Sequence, residues 1–335
     1  MNAYLLGLLA TVGLTVGVSA SAPPVSSPPP ASAAPDSSAA AVSPTPAFAS
    51  SQFECAIIPH DCGFPDSATV GVPLWMTLQN VPDQVSSGPG WHYDPRGWVE
   101  VDGNGADLSG LNIPCSVDIS ASNVTIDDVH IETSGQSSFG ISLRNTSNVT
   151  IENSDIEGEN TGSGRLMVGI KDIYGNSTGT SVLDNDISRV STGVQIFEGL
   201  IQGNYIHNMG YIPGDHINGI TVSGGTTPLT IQGNTILVDS GQTDAIGLFQ
   251  DSGVEANKVI KDNLLAGGGW VIYGGNKVGA PAATNIVIED NLFGSIYYPD
   301  SGQWGPVVYF APGPGNVWSG NVWEDTGLTI PAPGP

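Results

Sequence analysis

Along residues 178–293, short runs of alternating aliphatic and polar positions keep returning to one ending: Asn, any residue, then an apolar residue. The copies are Ser181-Val-Leu-Asp-Asn-Asp-Ile187, Leu200-Ile-Gln-Gly-Asn-Tyr-Ile206, Thr230-Ile-Gln-Gly-Asn-Thr-Ile236, Val259-Ile-Lys-Asp-Asn-Leu-Leu265 and Val287-Ile-Glu-Asp-Asn-Leu-Phe293. A sixth, Val317-Trp-Ser-Gly-Asn-Val-Trp323, follows beyond the stretch. Two looser copies precede them, ending at Ile131 and Ile156. Successive endings lie 19 to 31 residues apart. Val, Ile and Thr in alternation, with Gly and Asn at the corners and almost no helical period, predict strands. A recurring spacing of this length marks a solenoid. The predicted fold is all-β: a single parallel β-helix with capped ends.

A second strand is visible in each coil, in Gly140–Arg144, Gly169–Ile173, Gly193–Phe197, Gly219–Ser223 and Ala245–Phe249. Trp270–Gly274 and Pro306–Phe310 continue the series less regularly. Alternation along a strand should send Ile141, Ile170, Val194, Ile220 and Ile246 into the core. It should send Ser142, Lys171, Gln195, Thr221 and Gly247 outward in one row. The repeated asparagines, Asn185, Asn204, Asn234, Asn263, Asn291 and Asn321, are expected to stack as a structural column. Asn tolerates the left-handed conformation that sharp corners need, and its amide can bond to neighbours above and below.

Outside the repeats the composition changes. Residues 1–22 hold an apolar run from Tyr4 to Val18, followed by small residues through Ala22, which predicts a secretory signal peptide. No Lys or Arg precedes the run, so an uncleaved anchor stays open. Residues 23–50 are Pro, Ala and Ser with one Asp, a composition that cannot bury a core, and are predicted to form a disordered linker. The β-helix domain then spans 51–330, with an N-terminal cap region at 51–111 and coils over 112–325. The cap is needed because a first coil exposes apolar core and unpaired strand edge. Trp75, Trp91 and Trp98 are expected to supply its bulk at one end, and Trp304, Trp318 and Trp323 at the other.

Charge and cysteine content narrow the function classes. Thirty-two acidic residues against 8 basic ones give a net charge of −24, which excludes nucleic acid as a partner because phosphate binding needs basic clusters. The same acidity admits calcium, held by Asp and Asn oxygens at coil corners, although no EF-hand spacing is present. Of the 3 cysteines, Cys55 and Cys62 close a short loop and are the expected disulfide; a Cys62–Cys115 pairing stays open. A secreted, extracellular monomer with no membrane span in the mature chain is expected.

The segments Cys62-Gly-Phe-Pro-Asp66, Thr69-Val-Gly-Val-Pro73, Gly267-Gly-Gly-Trp-Val-Ile-Tyr-Gly-Gly275, Trp304-Gly-Pro-Val307 and Gly315–Asp325 carry a resemblance. Together they resemble secreted actinobacterial right-handed parallel β-helix repeat proteins of the pectate-lyase-like superfamily. That resemblance implies a right-handed helix and a carbohydrate-active protein with a polysaccharide partner. It implies no single reaction, because a fold does not choose its chemistry. The paired Asp and Gly-His-Gly of polygalacturonase-like hydrolases are missing here. Pro213-Gly-Asp-His216 is only a weak match to the Asp-Pro-His-Asp run of uronan epimerases.

Charge distribution says more than these motifs. Four of the basic residues, Arg144, Arg165, Lys171 and Arg189, fall within 46 positions of one another. A polysaccharide lyase working by β-elimination on a uronate-containing glycan needs such a basic spot to neutralise the substrate carboxylate, with a base alongside. The expected catalytic residues are Lys171, His216 and Asp215. Arg165, Arg189, Gln195 and Thr221 are the expected substrate contacts. A bland reading stands beside this one, with Asp215 and His216 capping a turn and the basic residues offsetting local acidity. Other outcomes left open are a non-catalytic surface or adhesion solenoid that binds glycan, and a glycoside hydrolase or uronan epimerase of the same fold.

Overall fold

The computed structural model describes residues 55–133, 135–159 and 164–333, with side chains of 135–138 left aside. The expected signal peptide and linker lie outside the described residues. No helix among the described residues is long and apolar enough to cross a membrane.

Among these residues, three sheets of 10, 11 and 9 strands, parallel apart from the N-terminal strands of the second, wind around one core in about eight turns. Each turn visits sheet 3, then sheet 1, then sheet 2. One coil, for example, runs Ser181–Leu183, Asp186–Ser188 and Val190–Gln195, and the next Gly199–Gln202, Tyr205–His207 and Asn218–Val222. The repeat ending supplies the corner between sheets 3 and 1. Strand by strand the aliphatic positions stack in register, Ile151↔Val182↔Ile201↔Ile231↔Ile260↔Ile288 in sheet 3 and Ile156↔Ile187↔Ile206↔Ile236↔Leu265↔Phe293 in sheet 1. All of these are buried.

The six asparagines form a fully buried column at that corner. Asn204 Nδ2 donates to Asn234 Oδ1 at 2.9 Å and to Val182 O at 2.9 Å, and the Asn204 backbone N–H donates to the same Asn234 Oδ1 at 2.9 Å. The pattern repeats from Asn185 to Asn321. Left-handed backbone falls one residue earlier than the sequence suggested, on Asp184, Gly203, Gly233, Asp262, Asp290 and Gly320, with φ of 52° to 70°. The corner thus separates two jobs. A Gly or Asp takes the αL conformation, and the Asn that follows uses its amide to satisfy backbone groups that the turn would orphan.

Strict alternation also fails in sheet 2. Gly140, Gly169, Gly193 and Gly219 point inward along with the Ile or Val that follows. A Cβ on Gly193 would sit 2.5 Å from Gly219 O and 2.9 Å from Ile206 Cγ2, which lies in the core across the coil. Two inward positions in succession put both flanking residues outside. One outward row is Phe139, Val168, Thr192, Asn218 and Asp244, and the other is Ser142, Lys171, Gln195, Thr221, Gly247 and Tyr273.

The N-terminal region caps less than expected and covers more of one side. The antiparallel pair Trp91–Asp94 and Trp98–Val101 extends sheet 2, and Trp91, Val99 and Val101 complete the core of the first coil. Residues 56–80 instead run along the outward face of sheet 1. Ala56 packs with Leu237, Leu264 and Ala266 near the last coils. Gly71 N–H donates to Asp184 O and Val72 N–H to Asp155 Oδ1, and Gln79–Asn80 then pairs with Leu111–Asn112 at the first coil. Cys55 and Cys62 are disulfide-bonded at the start of this strap, and Cys115 is buried and free. Trp75 stands 81 % exposed, beside the strap rather than in a cap. At the far end Trp318 and Trp323 pack on the core, Trp318 Nε1 donating to Ile330 O, while Trp304 is exposed.

Candidate functional site: the outward face of sheet 2

Seven of the eight basic side chains face a carboxylate. Arg96 pairs with Asp94, Arg144 with Asp118, Arg165 with Asp215, Arg189 with Glu157, Lys258 with Glu255, Lys261 with Asp262 and Lys277 with Asp251. Lys171 is the exception: its Nζ donates to the neutral Gln195 Oε1. Burial of the half-covered amine lowers its pKa, and the nearby Asp172 only partly offsets this. Asp172 is itself occupied, accepting from the backbone N–H groups of Tyr174, Gly175 and Ser177. The Lys171 ammonium also lies 5.5 Å from the centre of the Phe139 ring.

Lys171 lines one of two cavities on this face, and its neighbours Phe139 and Ser142 line the other. One, of about 350 Å³, is lined by Lys171, Tyr174, Phe197 and the Gly224–Gly225 corner. The other, of about 480 Å³, is lined by Trp98, Phe139, Ser142, Asp118 and Arg144. Arg144 joins the two: its Nε bonds Asp118 at 2.6 Å and its Nη1 reaches Tyr174 Oη at 3.5 Å. Arg96 lies over Trp98 at 4.3 Å. Aromatic rings with one flat side, amide and hydroxyl groups, and a single unpaired cation therefore share one face.

The other expected site residues lie elsewhere. Asp215 is held by Arg165 and Ser191, both buried. Burial would raise its pKa, but the hydrogen bonds from Arg165, Ser191 and the Ile212 N–H outweigh it and lower the pKa. His216 is exposed, its Nδ1 3.3 Å from Thr243 Oγ1. It lies in the loop before the strand Asn218–Val222, which is two coils from the Lys171 strand, and it is outside the row that Thr221 shares with Lys171. Arg189 turns towards sheet 1, bonding Gly158 O as well as Glu157. Gln195 and Thr221 do share the Lys171 row. The structure thus brings together Lys171, Gln195 and Thr221, and leaves His216, Asp215, Arg165 and Arg189 apart from them.

Trp98, Phe139, Tyr174 and Phe197 were missed as site residues. Phe139 is visible only once the inward Gly-Ile pair is known, since strict alternation would turn it into the core. Ligand atoms of His92, Asp94 and Glu100 lie within 4.8 Å of one another on the cap hairpin, but Asp94 already binds Arg96 through both oxygens.

The geometry defines a right-handed parallel β-helix with a polar and aromatic groove on one sheet. Residues 101–236 match the family model described as right handed beta helix region. No curated protein matches the chain. Among solved structures, the chain is similar to the crystal structure of pectate lyase Pel9A, at 14% identity and a TM-score of 0.46. The likeness covers 70% of this chain and 57% of that one, too distant to speak of activity.

Proposed function

We propose that the protein is an exported, carbohydrate-active β-helix whose sheet 2 groove binds a uronate-containing polysaccharide and cleaves it by β-elimination, with Lys171 as the base. The supporting observation is the state of Lys171. In a chain of net charge −24, it is the one Lys or Arg side chain without a carboxylate partner, and it lines one cavity. An amine whose pKa is lowered by burial is a better proton acceptor near neutrality than an ordinary lysine. Arg144 sits one strand away, placed to meet a substrate carboxylate, while Trp98 and Phe139 offer faces on which sugar rings can stack.

In the proposed step Lys171 Nζ takes the proton on the carbon next to the uronate carboxylate. The C–H electron pair becomes a ring double bond, and the bond to the glycosidic oxygen breaks with its electrons. That oxygen then takes a proton from water. Stabilising the enolate-like charge that develops is the electrostatic part of the barrier, and we assign it to Arg144, which Asp118 holds on the adjacent strand.

Incubating the purified protein with polygalacturonate, alginate and glycosaminoglycan uronans tests this reading. One of them should yield products absorbing in the ultraviolet through the new double bond. Reducing ends without that absorbance would point to hydrolysis instead, and glycan retention without any cleavage to a binding solenoid.

A further inference from the structure

Asp244 is the most anomalous polar group among the described residues. It is fully buried, and neither carboxylate oxygen has a hydrogen-bond partner. Its burial is not that of a core residue. Ala245 and Ile246 occupy the two inward positions of its strand, so Asp244 and Gly247 both face outward. In register, Asp244 continues the row Thr192↔Asn218↔Asp244, and Asn218 Nδ2 bonds Thr192 Oγ1 at 3.3 Å.

An aromatic ring stands against the carboxyl. Gly247 is the place in the Lys171 row that has no side chain, and the Phe249 ring folds into that space. A Cβ on Gly247 would meet Phe249 Cε2 at 2.3 Å and Asp244 Oδ2 at 2.8 Å, so ring edge and carboxyl converge above the glycine. Phe249 opens a run of rings on the same face: Tyr273 follows at 5.0 Å between centroids and Tyr309 at a further 5.7 Å. Burial pushes the Asp244 pKa well above the usual carboxylate range, which favours the protonated acid, a form able to donate as well as accept. A buried carboxyl without partners costs free energy in the closed state, and a partner arriving from outside would recover it.

We propose that Asp244, with Asn218 and Thr192 beside it, is the floor of a second glycan subsite, opened when the Phe249 ring swings aside. A pyranose ring would stack on Tyr273 and Tyr309 while one of its hydroxyls bonds the Asp244 carboxyl. Gly247 lies three coils from Lys171 in the same row, about 14 Å along the helix axis. A polysaccharide laid along that axis would therefore span both places. The proposal rests on the glycan-binding reading above, and Asp244 acts as a positioning residue rather than in the bond-breaking step.

The experiment is carbodiimide coupling of glycine ethyl ester to the native protein at mildly acid pH, with Asp244 labelling read by peptide mass spectrometry. A panel of uronate and neutral hexasaccharides is added in parallel, and wild type, Phe249→Ala, Asp244→Leu and Lys171→Ala are compared. Asp244 should label slowly in the wild type and at least tenfold faster in Phe249→Ala, and one hexasaccharide should protect it. Asp244→Leu should weaken binding of that sugar at least tenfold while melting no lower than wild type, because it removes both hydrogen-bonding atoms of a carboxyl that has no partner and keeps its branched shape. Labelling that Phe249→Ala does not accelerate, or that no sugar reduces, overturns the subsite. Protection by a uronate sugar whose binding ignores Lys171→Ala would instead overturn the Lys171 reading and leave the subsite standing. A sugar bound through Lys171 with Asp244→Leu unchanged would do the reverse.

Discussion

Replacing Asn234 by alanine removes the middle rung of the corner column. Asn234 Oδ1 accepts the Asn204 backbone N–H and the Asn204 Nδ2, and its own Nδ2 donates to Asn263 Oδ1, Ile201 O and Gln232 O. After truncation Asn204 Nδ2 keeps Val182 O and Gln202 O. Asn263 Oδ1 keeps the Asn234 backbone N–H. The group left with nothing is the Asn204 backbone N–H, which is buried away from water. One such orphan costs about 1–3 kcal/mol, and net loss of the remaining bonds adds about 1 kcal/mol. A destabilisation of about 3 kcal/mol should follow, whereas Asn176→Ala, on the exposed amide that bonds Asn145, should stay within about 0.5 kcal/mol. Guanidinium unfolding of both variants gives the comparison. Amide hydrogen exchange at Asn204 guards against coils that open separately, as solenoid coils can. A change at Asn234 no larger than that at Asn176 would refute the claim that the column satisfies the corners.

Three further outcomes follow from the same structure. Gly193→Ala should lower the melting temperature sharply or prevent soluble expression, since its Cβ would press on Gly219 O and Ile206; a variant melting like wild type would mean the backbone there yields easily. Burial raises the pKa of Glu255 to about 7 and of Asp155 to about 6, so each binds more protons folded than unfolded, and stability should fall as pH rises from about 4 to about 7. Glu255→Gln should flatten that fall in a pH series of melting curves, and an unchanged slope would exclude Glu255 as a cause. Because burial lowers the Lys171 pKa, turnover on a uronate substrate should rise with pH as the amine deprotonates; a rate that falls through the same range would remove Lys171 as the base.

The β-helix was legible in the chain because each coil repeats the same local problem. Apolar residues such as Ile206 and Ile236 must face one core, and Asn204 and Asn234 must serve one corner, so the pattern recurs at coil spacing. The inward Gly-Ile pairs were less legible: a glycine's direction leaves no trace in a hydrophobic pattern, so nothing in the alternation marks Phe139 as outward. The strap over sheet 1 was hidden for another reason. Ala56 and Gly71 meet Leu264 and Asp184 far away in sequence, and no local period encodes such contacts. The outward row was legible where it lay on the repeat, as with Lys171, Gln195 and Thr221. His216 and Asp215 sit in the loop between sheets 1 and 2, whose path the repeat does not fix. Proximity in sequence to Thr221 there gave no proximity to Lys171.

The central claim is that Lys171 is the reacting amine of a groove that acts on an acidic glycan. The most direct test is the initial rate of ultraviolet-absorbing product from the best uronate substrate, for wild type and Lys171→Ala, with melting curves of both. Losing a general base typically costs about 10²–10⁴-fold, so the variant should lose at least a hundredfold in rate. Its melting temperature should hold, because the Lys171 side chain lies on the outward row and the core beneath is Ile170. A Lys171→Ala protein that melts like wild type and turns over at an undiminished rate would contradict the account.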